Sequence, residues 1–245
     1  MRTAIVSDVH GNAVALEALL DELDRNPVDQ VVCLGDVAQG GAHPAEVIDR
    51  IRVIGWPVVL GNADDFLLDP EAGREPVTPA LLEVRAWSVE QLGQERLDFI
   101  RTFPATVEAD LGEQQTLLAF HGSPADYDDV LLPSLGEAEF RGFLDGYDAP
   151  FLAGGHVHLQ YLRRVGLRTF VNPGSVGLSY DHEQPEESLR FDPWAAYAVV
   201  TTEPGAVELS FRRVPFDPGD VLRAIEKSGI PMERARLEAW RRAGP

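Results

Sequence analysis

The chain has 245 residues, with 21 basic and 40 acidic side chains and a formal net charge of −19. That balance argues against a broad basic face for nucleic acid polymers and against a polybasic membrane anchor. The single cysteine, Cys33, excludes an internal disulfide framework and a cysteine-rich zinc module. Apolar residues at 44 % and aromatics at 8 % describe a folded chain rather than a disordered one. One unit spanning residues 1–245 is expected, since a chain of this length buries a core without staples. No stretch reads as a secretory leader or a bilayer span, so a cytoplasmic protein is expected.

Strand and helix alternate over the first hundred residues. Ala4-Ile5-Val6 reads as a short buried strand ending at Ser7-Asp8. Leu16, Leu19, Leu20 and Leu23 follow at helical spacing, with Pro27 beyond them. Val31-Val32-Cys33-Leu34 is the next strand, stopping at Gly35-Asp36. Pro44 opens a second helix whose inner face is Val47, Ile48, Ile51 and Ile54. Pro57-Val58-Val59-Leu60 reads as a third strand, ending at Gly61-Asn62. Strands joined by helices of this length predict parallel pairing.

Residues 66–104 read as helical, with Thr78-Pro79 as cap and first turn. Strands resume at 116–120 and 151–153. Residues 181–193 read as a charged surface loop. Residues 196–201 and the alternating Val207, Leu209 and Phe211 predict an antiparallel hairpin. A helical tail spans 217–242. Two stacked mixed sheets with flanking helices are the economical architecture.

Polar residues cluster where the strands stop. Asp8, His10 and Asn12 follow the first strand, Asp36 the second, Asn62 the third, His121 the fourth, and His156 and His158 the fifth. In open α/β sheets these ends form the binding crevice. Asp, His and Asn without Cys suit Mn, Fe, Zn or Ni. Seven ligands, Asp8, His10, Asp36, Asn62, His121, His156 and His158, exceed one tetrahedral site. They suit two divalent metal ions sharing a carboxylate. Asp8 and His10, like His156 and His158, are two residues apart and so share one side of an extended segment. Gly35, Gly61 and Gly155 permit sharp turns that aim the next side chain into the crevice.

In this order Asp8-x-His10, Gly35-Asp36, Gly61-Asn62, His121 and Gly155-His156-x-His158 resemble the calcineurin-like metallophosphoesterase superfamily. Gly40-Gly41-Ala42-His43-Pro44-Ala45-Glu46-Val47, His121-Gly122-Ser123-Pro124 and Asn172-Pro173-Gly174-Ser175-Val176-Gly177 resemble its bacterial and archaeal phosphodiesterase-like branch. The resemblance implies a four-layer α/β/β/α sandwich of two mixed β-sheets flanked by helices. It implies that Asp8, His10, Asp36 and His158 hold one metal. Asp36, Asn62, His121 and His156 would hold the other, with Asp36 bridging. A metal-bridging hydroxide held by Asp36 would attack phosphorus in line, making the protein a phosphodiesterase or phosphatase of small phosphoesters. The alternative is a non-catalytic metal-binding scaffold on the same fold; a single-metal binder is a third reading.

Two departures narrow the class. Many superfamily members carry Gly-Asn-His at the third motif, whose His protonates the leaving oxygen; here Ala63 follows Asn62. A site without that acid favours good leaving groups. The segment Gly35-Asp36-Val37-Ala38 also lacks the Asp-Arg of the protein Ser/Thr phosphatase branch, which disfavours a protein phosphatase or a dinucleoside tetraphosphatase. Asn12 is a candidate for binding substrate phosphate or for capping the helix that follows. Asp64 is a candidate for orienting the site or for a turn or cap. Cys33 reads as a buried thiol, His43 and His182 as surface residues, and Tyr127 as a candidate substrate contact.

Overall fold

The computed structural model describes residues 1–71, 77–180, 184 and 189–243. The first sheet has the order β2-β1-β8-β9, formed by β1 (Arg2–Val6), β2 (Gln30–Cys33), β8 (Trp194–Glu203) and β9 (Ala206–Pro215). β1 runs parallel to β2 and antiparallel to β8, so the sheet is mixed. Helix α1 (Ala13–Arg25) makes the β1–β2 crossover, and α2 (Pro44–Ile54) follows β2.

The second sheet has the order β3-β4-β5-β7-β6, from β3 (Val107–Gly112), β4 (Gln115–Ala119), β5 (Phe151–Ala153), β6 (Gln160–Val165) and β7 (Arg168–Pro173). β4, β5 and β7 are parallel, with antiparallel β3 and β6 at the edges. Alternation along each strand assigns its two faces. In β1, Ile5 enters the layer between the sheets, while Ala4 and Val6 face the helices. In β4, Leu117 and Ala119 enter the same central layer, while Leu118 joins Phe120 in the outer one. Helices α1, α2 and α4 (Pro79–Ile100) cover the first sheet. Helix α5 (Glu137–Gly142) and its flanks place Phe140 and Leu144 over the second. The four-layer α/β/β/α expectation therefore holds.

Several elements differ from expectation. Residues 57–60 form no full strand; Val58 makes one parallel bridge to Cys33, because the segment turns into α3 (Asn62–Leu68) after two bonds. The expected 66–104 helix is α3 and α4, and Gly93 (φ 63°, ψ 174°) breaks α4 internally. Strands β3, β6 and β7 and helix α5 were not anticipated; adjacent Arg163 and Arg164 break the apolar pattern of β6, and β7 is buried over five consecutive residues and so shows no alternation. The tail is two helices, α6 (Pro218–Ser228) and α7 (Glu233–Arg241), split at Gly229 by its left-handed φ of 71°. Most of the 181–193 loop, including His182, lies outside the described residues. Among the described residues no helix is long and apolar enough to cross a membrane.

Leu117 is fully buried in the layer where the two sheets meet. Leu117→Ala is expected to cost about 2–5 kcal/mol, read as a lower urea midpoint at unchanged m-value.

Candidate metal centre

The residues singled out in the sequence converge at one edge of the sandwich. Asp8 and His10 follow β1, and Asp36 follows β2. Asn62 opens α3, His121 follows β4, and His156 and His158 follow β5. The first sheet thus supplies Asp8, His10 and Asp36, and the second supplies the other three histidines. Facing strand ends bring them together across the central layer.

The backbone there is unusual. Among the described residues eight non-glycine residues have positive φ, and five are Asp8 (56°), His10 (48°), Asp36 (53°), His156 (68°) and His158 (55°). The Asp8/His10 and His156/His158 pairs are therefore not on extended segments, as their spacing suggested. They sit on left-handed turns, a conformation that typically costs ~1–3 kcal/mol per residue. The glycines divide by role. Gly35 uses the left-handed region (φ 96°). Gly61 is required for closeness instead: a Cβ there would lie 2.1 Å from Asp36 Oδ1.

Donor atoms fall into two groups, Asp8 with His10 and His158, and Asp36 with His121 and His156; within each they lie within 4.8 Å of one another. Asp36 Oδ2 joins the groups, 3.8 Å from His10 Nε2 and 3.3 Å from His121 Nε2. Asn62 Oδ1 adds to the second group, 3.0 Å from both His121 Nε2 and His156 Nδ1. Both groups are drawn from residues that the resemblance names.

Main-chain carbonyls orient three of the imidazoles. Nδ1 of His10, His121 and His158 lies 2.7 Å from the carbonyls of Gln39, Leu34 and Leu178 respectively. A carbonyl only accepts, so each Nδ1 carries a proton and each Nε2 turns into the crevice. His10 Nε2 and His158 Nε2 then face each other at 3.1 Å. Two lone pairs at that distance require a positive charge between them. Asp8 adds to this demand. It is fully buried, and among the described residues neither carboxylate oxygen has a hydrogen-bond partner. Oδ1 lies 3.2 Å from His158 Nε2. A buried carboxylate left this way is costly. The donor set therefore fits a cation, and its N/O chemistry suits a divalent transition ion.

The titration behaviour follows from the same crowding. Burial opposes charge on His121, but the adjacent Asp36 carboxylate overrides it and raises His121 to about 10. Burial likewise opposes charge on His158, and Asp8 outweighs it and raises the group. Burial and the charge of His121 push His156 down to about 4. Burial also lowers His10. Despite burial, the neighbouring histidines hold Asp8 and Asp36 below the usual carboxylate range.

A surrounding shell holds these groups. Asp64 accepts from the amides of Val37 (2.9 Å) and Gly61 (3.4 Å), so it both fixes the Asp36 turn and caps α3. Burial and the Asp36 charge push it up to about 7. The Asn172–Gly177 motif acts as a strap. Asn172 Nδ2 donates to Gly155 O (2.7 Å), and Ser175 Oγ donates to Asp8 O (2.8 Å). The amides of Val176 and Gly177 bond to Ser7 and Asp8, both at 2.9 Å. Sequence reasoning did not assign this strap a role, nor the carbonyls of Leu34, Gln39 and Leu178. It also missed Arg236 of α7, which donates to Gly40 O beside Gln39. The Tyr180 ring stands edge-on to His158, with centroids 5.3 Å apart.

Other candidates resolve differently. Asn12 Oδ1 accepts from Ala15 N (3.1 Å), and its Nδ2 donates to Gly177 O (2.9 Å). It caps α1 and ties the strap, and it joins neither ligand group. Ala63 presents only its amide to Asp36 Oδ1 (2.9 Å). Tyr127 donates to Asp65 Oδ2 (2.6 Å), linking the loop after His121 to α3. His43 is half-buried at the start of α2. Cys33 is buried and its thiol is pushed up to about 12 by burial, so it is inert.

Asn172→Ala removes bonds to Gly155 O and Gly174 N. It is expected to lower stability by about 1–3 kcal/mol and metal affinity about 10–100-fold, measured by denaturant unfolding and calorimetric metal titration.

Residues 1–193 match the family model of the calcineurin-like phosphoesterase superfamily domain. The uncharacterized protein MJ0912 of Methanocaldococcus jannaschii is 24 % identical over 93 % of both chains. A metallophosphoesterase structure from Sphaerobacter thermophilus superposes with a TM-score of 0.73 at 27 % identity, covering 98 % of this chain and 99 % of that one. The symmetrical bis(5'-nucleosyl)-tetraphosphatase of Erwinia tasmaniensis is 40 % identical over 76 residues, 30 % of this chain and 28 % of that protein. With its motifs, two mixed sheets and converging Asp and His residues, the chain belongs to the calcineurin-like phosphoesterase superfamily.

Proposed function

We propose that the protein is a hydrolase of small phosphoesters that works with two divalent ions, as a single catalytic unit. The observation that carries this reading is the pair of donor groups joined through Asp36 Oδ2. Asp8, His10, Asp36 and His158 would hold one ion, and Asp36, Asn62, His121 and His156 the other. Bound there, such ions supply a water of lowered pKa and neutralise charge on a phosphoryl group.

The chain's own residues do the rest. The carbonyls of Gln39, Leu34 and Leu178 hold three imidazoles with Nε2 inward, so little reorganisation accompanies loading. Asp64 holds the Asp36 turn, and the Ala63 amide fixes the carboxylate rotamer through Oδ1. Ala63 offers no proton to a departing oxygen, so the leaving group departs unaided at that position. That favours substrates with good leaving groups. The tetraphosphatase similarity, confined to 30 % of the chain, supports a small phosphorylated substrate. The absence of Asp-Arg after Asp36 argues against carrying over its particular one.

Aryl phosphodiesters and monoesters are expected to turn over with Mn at least about 10²-fold faster than alkyl analogues. Asp36→Asn should abolish that turnover. No turnover with any of Mn, Fe, Zn or Ni would overturn the reading, and equal aryl and alkyl rates would overturn the leaving-group preference.

Metal uptake is expected to weaken as pH falls. His121 is raised to about 10 in the metal-free protein, so it is protonated at neutral pH and loading must displace that proton. Affinity therefore rises with pH through the neutral range, with proton release on binding. Calorimetric titration in buffers of different ionisation enthalpy at pH 6, 7 and 8 measures both.

A further inference from the structure

The first sheet ends in an open edge. β9 pairs with β8 from Trp194↔Pro215 to Glu203↔Ala206 with an unbroken register. Even-numbered amides of β8 turn away from β9: Thr202 N bonds to Met1 O (2.8 Å) and Ala196 N to Ser175 O (2.9 Å). The odd-numbered Tyr197, Val199 and Thr201 therefore bond to Arg212, Ser210 and Glu208. It follows that the backbone groups of Val207, Leu209, Phe211 and Arg213 point outward. No other strand flanks β9, and no turn, loop or side-chain hydrogen bond among the described residues uses those groups.

Such an edge is usually blunted by a proline, a bulge, a short strand or charged side chains. β9 is 10 residues long, has its only proline at its last position, and carries no bulge. Its charges are arranged symmetrically instead. Glu208 and Arg212 lie two residues either side of Ser210 on one face. Among the described residues neither takes part in an ion pair. Arg213 is already engaged, donating to Gln160 Oε1 (2.9 Å) with its guanidinium over Trp194. On the other face Leu209 packs against the central layer, but Val207 and Phe211 remain 45 % and 37 % exposed.

We propose that the outer edge of β9 pairs antiparallel with β9 of a second copy of this chain, in a two-fold register centred on Ser210. In that register Glu208 faces Arg212 of the second copy at both ends, and Leu209 faces Phe211. Outward-pointing residues meet outward-pointing residues, so backbone hydrogen bonds form along about four pairs. Glu208 and Arg212 fall at the pairs that do not exchange backbone bonds, where side chains approach most closely. Neighbouring registers fail on charge. Centring on Glu208 or on Arg212 sets like charges opposite each other, and centring on Leu209 or Phe211 leaves both charges without a partner. The pairing also extends the first sheet over Val207 and Phe211.

Sedimentation of the full chain across micromolar concentrations tests this, with a species near twice 26.9 kDa expected. Glu208→Arg sets like charges opposite at both ends and should raise the dimer dissociation constant roughly tenfold. The double variant Glu208→Arg with Arg212→Glu reverses the order and should restore dimerisation. Phe211→Pro removes an outward amide while sparing the β8 ladder, and should abolish the dimer. Circular dichroism and metal titration report folding for each variant. A wild-type monomer throughout would overturn the proposal. So would a dimer insensitive to Glu208→Arg, or a double variant no tighter than the single one.

Discussion

A fully buried carboxylate that has no hydrogen-bond partner among the described residues and faces imidazole nitrogens is the constraint on which the rest of the structure depends. Asp8 Oδ1 and the opposed Nε2 atoms of His10 and His158 concentrate lone pairs where no backbone donor among the described residues balances them. Only positive charge makes that arrangement stable. The surrounding devices keep it in place. Left-handed backbone at five of the site residues stores strain that a floppy loop would release. Three carbonyls pin the imidazoles, and the Asn172–Gly177 strap ties Asp8 to the second sheet's turn at Gly155. The site is thus held from both sheets, and the central layer between them is what keeps the two halves in register.

The overall acidity takes on a different meaning at this scale. A net charge of −19 repels a long polyanion lying across the surface. Within the crevice, two divalent ions would outweigh Asp8 and Asp36 and leave a small positive spot. Under the proposed reading, phosphate affinity would depend on the ions, and its reach would be short because the surrounding field is negative. Acidity and a phosphoester substrate are therefore compatible, provided that the substrate is small.

Much of the site was legible because its chemistry is local in sequence. Asp8-x-His10, Gly35-Asp36 and Gly155-His156-x-His158 each place donors at a strand end, and β1, β2, β4 and β5 are short apolar runs that announce those ends. Less legible were the residues that act through main-chain atoms. Gln39, Leu34 and Leu178 contribute carbonyls, which every residue has, so side-chain identity carries no signal. Arg236 reaches Gly40 from nearly two hundred residues away, a contact that no spacing reveals. Asn12 was ambiguous because one amide serves equally as a helix cap or a phosphate contact; its two bonds to Ala15 and Gly177 decide for the cap. Strand β6 was hidden because adjacent Arg163 and Arg164 interrupt its apolar pattern, and β7 because it is buried on both faces and shows no alternation.

By itself the sequence determined the donor set, the order in which strands present it and the absence of an imidazole at Ala63. These are matters of residue type and local spacing. The tertiary structure alone decided which oxygen of Asp36 joins the two donor groups and which imidazole nitrogen faces inward. Those outcomes depend on how the two sheets meet, and the distances across that meeting are set by core packing far from any motif.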